Sequence, residues 1–120
     1  MDSKKLRGTK TFGQVLADAR KEAKLTQSEV ISRLRGLGTS WDVSYLSAAE
    51  HDRRYRPSNE LIKQLAEIVG ISADILYFYV GRLPPDITHQ VENRRVELAF
   101  KTFRRILKPK KAKRKPTRTL

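Results

Sequence analysis

The chain has no cysteine, only two histidines and a single tryptophan, and it contains no long uninterrupted apolar run. The lack of cysteine excludes disulfides and thiolate metal sites, and it fits a reducing compartment. A membrane-spanning helix needs about 18 or more consecutive apolar residues, and no segment supplies them. The first ten residues also lack the apolar core of a signal peptide. We therefore expect a cytoplasmic protein that does not enter a membrane.

Acidic residues are scarce: 13 Asp and Glu stand against 26 Lys and Arg, so the formal net charge is +13. Residues 104–120 hold nine of the basic residues and no acidic one, which leaves 17 basic and 13 acidic residues in the rest of the chain. A strongly basic tail on a mildly basic body indicates a polyanionic partner, nucleic acid before anionic membrane. The alternative is a solvated tail that has no partner.

Residue combinations that carry catalysis or bind cofactors do not stand out. His51 and His89 are far apart in the sequence, and no carboxylates lie near either at the spacing of metal ligands. Gly36-Leu37-Gly38 is too short to be a phosphate-cradling loop, and no Ser-His-Asp set or paired-carboxylate pocket is suggested. We expect no enzyme activity, no catalytic residue, no metal, no cofactor and no small-molecule substrate.

Apolar periodicity and capping residues predict an all-α chain, since no segment alternates like a half-buried strand. A first helix is expected from about Thr11 to Lys24, and a second begins at the capping box of Thr26 and Glu29. The third runs from Val43 to about Glu50 after its N-cap Asp42. Serines cap a fourth and a fifth helix, and glycines end them; these residues are Ser58, Gly70, Ser72 and Gly81.

Composition divides the chain into four parts. Residues 1–10 form a basic N-terminal arm, and 11–85 form the helical domain. A further helical segment is expected over 86–107, with a break near Asn93, and it is a candidate for dimerisation. Its apolar stripe, more than a lone surface helix needs, includes Phe100, Phe103, Ile106 and Leu107. Residues 108–120 are expected to be a disordered basic tail.

The second and third helices form a pair joined by a turn that contains Gly36 and Gly38. Two short helices joined in this way, on a basic protein, are typical of a helix-turn-helix unit, whose second helix enters the DNA major groove. The outward residues of the third helix are small or polar: Ser44, Ser47, Ala48 and His51. Small side chains let a helix approach base edges closely, and hydroxyls and methyls contact bases there. A plain solvent-facing surface is the alternative.

Several motifs carry a resemblance to a known family. Leu25-Thr26-Gln27, Tyr45-Leu46-Ser47-x-x-Glu50, the segment Arg53 to Ser58 and the segment Leu61 to Ala66 occur in an order and spacing that resemble the phage-repressor/Cro-like (XRE) helix-turn-helix domains. Gly81 to Ile87 is similar to a segment that follows this domain in many members. The resemblance covers roughly residues 11–87 and implies a five-helix, lambda-repressor-like fold.

The resemblance also implies roles for individual residues. Gln27, with Ser28 beside it, would contact a phosphate and brace the third helix, and Glu50 would be structural, paired with a basic group. The base-reading positions would be Val43, Ser44, Ser47 and Ala48. The phosphate-gripping residues after the third helix would be Arg53, Arg54 and Arg56. The N-termini at Thr26 and Asp42 would offer N–H groups to phosphates. Independently of the resemblance, we expect His51 to add a polar contact at the groove edge.

Three features depart from the family pattern. The turn over 35–40 is longer than the usual connection, and we expect it to be ordered by DNA or by Trp41. Ile31 stands where a small residue is usual and Ala49 where a large one is usual, so the two are expected to exchange volume in the core. Asp52 replaces a common glycine, which aspartate can do because it accepts the left-handed conformation.

Together, these features predict a sequence-specific, nucleoid-associated DNA-binding regulator of transcription. We expect a repressor that acts by occupying a palindromic operator in double-stranded DNA as a homodimer, because one short helix reads few base pairs. Two alternatives stay open. One is a nonspecific basic nucleic-acid-binding protein, and the other is an antitoxin-like or other protein-binding module whose C-terminal helix and tail fold on a partner.

Overall fold

The structure, a computed structural model, describes residues 10–53, 56–87 and 92–108. These residues form six α-helices, one short 3-10 turn and no strand, so the predicted all-α class is confirmed for this part of the chain. The helices are α1 (Phe12–Glu22), α2 (Gln27–Gly36), α3 (Val43–Glu50), α4 (Asn59–Val69), α5 (Ala73–Val80) and α6 (Asn93–Leu107), and the 3-10 turn is Pro85–Ile87. None of the described helices is both long and apolar enough to cross a membrane.

The first five helices begin at the capping residues that the sequence predicts. Thr11 and Thr26 each form a capping box, in which the threonine hydroxyl accepts an N–H of the first turn and a Gln or Glu side chain accepts the N–H of the threonine. Asp42, Ser58 and Ser72 cap α3, α4 and α5 through their side chains. Each cap satisfies backbone donors that a helix start otherwise leaves without a partner.

Two predicted helix boundaries differ from the observed ones. Helix α1 ends at Glu22 rather than Lys24, because Lys24 adopts a left-handed conformation with φ of 61° that terminates the helix. The last helical segment was expected from Asp86, but Asp86 and Ile87 belong to the 3-10 turn and α6 begins at Asn93. The arm over 1–9, Arg54 and the tail over 109–120 lie outside the described residues.

One apolar core joins the five helices of the compact unit that ends at Asp86. Helix α3 packs against α1 and α2, while α4 packs against α2 and α5. The predicted inward positions of α2, α3 and α4 are buried, and Trp41 also belongs to the core. The core residues are Leu16, Val30, Ile31, Leu34, Trp41, Leu46, Ala49, Leu61, Ile62, Leu65, Ala66, Val69, Leu76 and Tyr77.

Helix α6 belongs to a second compact unit, which begins at Ile87. None of its residues is buried within the described structure. Large apolar side chains of this helix are therefore exposed, among them Phe100, Phe103, Ile106 and Leu107. This distribution contrasts with α4, where five residues are buried.

Candidate nucleic-acid interface

Helices α2 and α3 place one face of α3 in the core and leave the other outside. Leu46 is fully buried and Ala49 is 2% exposed. Ile31 on α2 is also buried, so both positions that depart from the family pattern lie in the core. Because α3 also packs against α1, its inner face is held by two helices. The direction of its outer face is fixed by that packing.

The outer face of α3 brings together the side chains predicted to read bases. Val43, Ser44 and His51 are exposed, and Ser47 and Ala48 are partly buried. Their spacing of three and four residues places them on one side of the helix. No side chain in this set is longer than the histidine, and the flanking Tyr45 is directed toward Trp41, with ring centroids 6.2 Å apart. Because these side chains are short, another molecule can approach the backbone of α3 closely on this face.

A buried ion pair locks the C-terminal end of α3 to α1 and α2. Glu50 is 8% exposed, and its carboxylate accepts from Arg20 at 2.6 Å and 3.0 Å. The side-chain amide of Gln27 donates to the same carboxylate at 2.9 Å. Arg20 also donates to the carbonyl oxygen of Leu25 at 2.9 Å. The hydrogen bond to Glu50 raises the pKa of the Arg20 guanidinium above its ordinary value, so Arg20 stays charged.

This network shows Gln27 in the bracing contact that the resemblance implied, while its phosphate contact stays a prediction. Sequence reasoning expected a basic partner for Glu50 but did not identify Arg20. The sequence does contain a signal for Arg20. This arginine follows the apolar position Leu16 by four residues, so it lies on the inner side of α1, where a charged residue needs a partner.

A second carboxylate ties the residues after α3 to the start of α1. Asp52 has a φ of 57°, which is the left-handed conformation expected for this position. Its carboxylate accepts the backbone N–H of Gly13 at 2.8 Å and the hydroxyl of Thr11. A Cβ at Gly13 would lie 2.6 Å and 2.5 Å from the carbonyl oxygens of Ala49 and Glu50. Only a glycine allows the two helix ends to approach so closely.

The N-terminus of α3 carries a negative charge. Asp42 accepts the hydroxyl of Ser44 at 2.8 Å and the N–H of Tyr45 at 3.1 Å. These two hydrogen bonds, the hydroxyl first, lower the pKa of Asp42 below its ordinary value, and the charge of Arg35 adds to this effect. An ionised carboxylate at this position opposes a phosphate. Of the two predicted helix N-termini, the one at Thr26 is therefore better suited to hold a phosphate.

A shallow groove runs from the end of α1 across the start of α2 to α3. It contains three predicted site residues, Gln27, Ser28 and Val43. The other lining residues are Arg20, Lys21, Lys24, Leu25 and Thr26. Lys21 and Lys24 were not among the predicted site residues, although two lysines within five residues of the α2 cap are a signal for them. They place positive charge beside the N–H groups of the α2 N-terminus.

The predicted phosphate-gripping arginines are only partly described. Arg53 and Arg56 are exposed, and the backbone N–H of Arg53 donates to the carbonyl of Ala48 at 3.0 Å. Arg54 lies outside the described residues. The segment is held at its far end by Arg82, which donates to the carbonyl of Pro57 and to Asn59, both at 2.8 Å. The bond to Ala48 holds the exposed Arg53 next to the C-terminal end of α3.

His51 is placed at the end of the outer face of α3. Its Nδ1 lies 2.8 Å from the carbonyl oxygen of Ser47, so the ring closes the last turn of its own helix. His89 lies outside the described residues. Over residues 10–53, 56–87 and 92–108, no three histidine or carboxylate side chains group together as metal ligands do.

The long turn between α2 and α3 is ordered by contacts within the chain. The N–H groups of Leu37, Gly38 and Thr39 donate to carbonyls of the last turn of α2. The Thr39 hydroxyl donates to the side chain of Gln64 on α4. The described side-chain contact of the turn is to α4, and the ordering of the turn by DNA or by Trp41 stays a prediction.

The contact between Thr39 and Gln64 predicts that changes in the turn that remove it destabilise the domain. Thr39→Val retains the shape of the side chain but removes the donor, so we expect a loss of about 1 kcal/mol in the free energy of unfolding. Chemical denaturation measures it. Ser40→Ala, at the exposed neighbouring position, is the matched control. Deletion of residues 36–39 should cost more than Thr39→Val. A deletion variant as stable as the parent would show that the turn is dispensable for folding.

Comparisons of the chain with protein-family models, with curated proteins and with solved structures gave no match.

Proposed function

We propose that the chain is a sequence-specific DNA-binding regulator of transcription, with a five-helix, lambda-repressor-like domain that reads DNA through α3. The observation that carries the proposal is the outer face of α3. No side chain of this face is longer than a histidine, and three of the five are serine or alanine. Two carboxylates, Glu50 and Asp52, fix the end of its helix against α1. A rigid, low helix face is what a major-groove reader needs, because base contacts demand close and fixed geometry.

The charges around this face support DNA rather than another partner. Lys21 and Lys24 line the groove that reaches Val43 at the N-terminal end of α3, and Arg53 lies just beyond the C-terminal end of α3. Cations near both ends of the reading helix match the two phosphate backbones that border a major groove. The basic residues of the tail would add affinity that does not depend on sequence.

We further propose that the protein is a repressor that binds a palindromic operator as a homodimer. The described chain contains one short reading helix, and a single such helix contacts too few base pairs to select one site in a genome. A dimer doubles the number of bases read. Occupancy of the operator would then block transcription without a further domain.

The exposed apolar face of α6 also favours a second candidate, a protein-binding module of the antitoxin type. In that case α6 and the tail would fold on an unrelated protein, and DNA binding would be secondary. A nonspecific nucleic-acid binder is the third possibility. Selection of duplexes from a random library separates these functions, because only the proposed regulator should enrich one sequence with two-fold symmetry.

The test of the reading face uses the enriched operator. Ser47→Ala should weaken operator binding by about 1–3 kcal/mol, should weaken binding to scrambled DNA far less, and should leave the salt dependence unchanged. Ser32→Ala, at an exposed position of α2, is the matched control and should have no effect on binding. Fluorescence anisotropy at several salt concentrations measures all of these values.

Removal of residues 109–120 should affect DNA binding in the opposite way to Ser47→Ala. Binding to every duplex should weaken alike, and the slope of log affinity against log salt should fall by about 0.9 for each phosphate that the tail no longer neutralises. If the truncated chain prefers a different sequence while Ser47→Ala changes only the salt slope, the reading surface has been assigned wrongly.

A further inference from the structure

The exposed face of α6 has the spacing of a coiled-coil seam. Val96, Phe100, Phe103 and Leu107 follow one another by four, three and four residues, and we call these four residues the α6 seam. This spacing is that of alternating d and a positions in a two-stranded coiled coil. Phe100, Phe103 and Leu107 are exposed. Ala99 and Ile106 widen the seam along one flank, where both would be g positions.

The opposite flank of the seam carries two opposite charges one heptad apart. Glu97 is the only acidic residue of α6, and Arg104 follows it by seven residues, so both occupy e positions. The remaining charges, which include Arg94, Lys101 and Arg105, lie on the side away from the seam. Both charges of this flank therefore lie at the edge of any surface that covers the seam.

We propose that the α6 seam pairs antiparallel with the α6 seam of a second copy of this chain. In that arrangement Val96 lies opposite Leu107 of the second copy, and Phe100 lies opposite Phe103. Each layer then joins an a position of one copy to a d position of the other, with two phenylalanine layers at the centre and a valine–leucine layer at each end. The pairing is isologous: each contact occurs twice, related by a two-fold axis near residues 101 and 102.

The charges select this direction over a parallel pair. In an antiparallel pair the two e flanks meet, so Glu97 of each copy faces Arg104 of the other. In a parallel pair each e position meets the g position five residues earlier in the other copy, so Arg104 would face Ala99 and Glu97 would lie beside Glu92. The antiparallel pair therefore forms two ion pairs, whereas the parallel pair forms none. An anionic surface would use Arg104 but would be repelled by Glu97.

The length of α6 limits how strong the pairing is. Its 15 residues span about 22 Å, which is short for an isolated coiled coil. The buried area is below that of a standard protein interface, so we expect association in the range of tens of micromolar. The role of this pairing rests on the proposed function, in which binding of two copies to the two half-sites of an operator strengthens the association of the copies. The geometry of the pairing is tested without DNA.

The absence of cysteine allows a direct test of the direction. In an antiparallel pair, Val96 and its counterpart are separated by 11 positions, or about 16 Å along the axis, whereas a disulfide requires Cα atoms within about 7 Å. Full-length Val96→Cys should therefore form no disulfide-linked homodimer under mild oxidation. A mixture of Val96→Cys with Leu107→Cys should form the mixed dimer, identified by mass spectrometry.

Charge exchange tests the ion pairs. Arg104→Glu should weaken self-association on the order of ten-fold in sedimentation equilibrium, because Glu97 then faces a glutamate. Adding Glu97→Arg to the same chain should restore it. Lys101→Glu makes the same change of charge away from the seam and is the matched control, which should not weaken association. Circular dichroism checks that α6 is retained in each variant.

Two outcomes would overturn the pairing: a Val96→Cys homodimer without the mixed dimer, or equal effects of Arg104→Glu and Lys101→Glu. Binding of the monomer to anionic phospholipid vesicles without any cross-link would assign the face to a membrane surface instead. Because none of these measurements includes DNA, cross-linking can succeed while duplex selection fails. The proposed function and the pairing are thus tested separately.

Discussion

Arg20→Ala is expected to reduce the free energy of unfolding by about 3–5 kcal/mol, because it leaves the Glu50 carboxylate charged and buried without its main partner. The Arg20 and Glu50 side chains are only 12% and 4% exposed. Removing Arg20 also leaves the carbonyl of Leu25 without that donor. Gln27 alone cannot neutralise the charge. Chemical denaturation followed by circular dichroism measures the loss, which is a large fraction of the stability of a small domain.

An exposed ion pair of the same chain provides the control. Lys10 and Asp18 lie 3.0 Å apart with side chains that are 58% and 56% exposed. Lys10→Ala should cost less than about 1 kcal/mol, because water replaces the partner. Arg20→Lys should fall between the two, since it retains the charge but loses the two-point contact with Glu50. A loss for Arg20→Ala no larger than for Lys10→Ala would show that Glu50 reaches solvent without Arg20.

The second large effect is expected at Gly13, where an added methyl group has no space. In Gly13→Ala the Cβ would lie 2.5–2.7 Å from two backbone carbonyls and the Asp52 carboxylate. Backbone atoms cannot move aside as a flexible side chain does, so the end of α3 must shift away from α1. Overpacking and a weakened N–H bond to Asp52 together should cost about 3 kcal/mol. Thermal and chemical denaturation both report this loss.

Gly36→Ala is the matched control and should have the opposite sign. Apart from its chain neighbours and the backbone of its own helix, no atom lies within 4 Å of a Cβ at Gly36, and this residue is helical. Alanine there should stabilise the domain by about 0.5–1 kcal/mol, because it loses less backbone entropy on folding than glycine. If both variants are stabilised alike, α1 and the end of α3 are not in the close contact that we describe.

Both large effects act on the same feature, the orientation of α3. Glu50 and Asp52 are two residues apart, and each ties the end of α3 to α1. A variant that loosens either tie should lose operator affinity beyond its loss of stability, because base contacts depend on a fixed helix direction. Operator binding of Arg20→Lys, measured where the variant is fully folded, tests this link between packing and the proposed function.

Local signals in the sequence were sufficient for the starts of the first five helices. Capping residues act on N–H groups within three positions of themselves, so Thr26, Asp42, Ser58 and Ser72 mark helix starts without reference to the rest of the fold. Apolar spacing likewise identifies the buried sides of α2 and α4. Two boundaries differ from the prediction. Helix α1 ends early because Lys24 takes a conformation that glycine usually takes, and a lysine gives no local signal for it. Helix α6 begins at Asn93 rather than at Asp86, and no side-chain cap marks its start.

The sequence by itself therefore determined the helical class, the starts of the first five helices, the buried faces of α2 and α4 and the excess of positive charge, because each depends on neighbours in the chain or on composition. Only the tertiary structure decided which groups from different parts of the chain contact each other. The joining of Arg20 and Gln27 to Glu50, the contact of Asp52 with Gly13, and the link from Thr39 to Gln64 each connect residues 23 or more positions apart. Such pairs are set by how whole helices pack, and no local spacing encodes that packing.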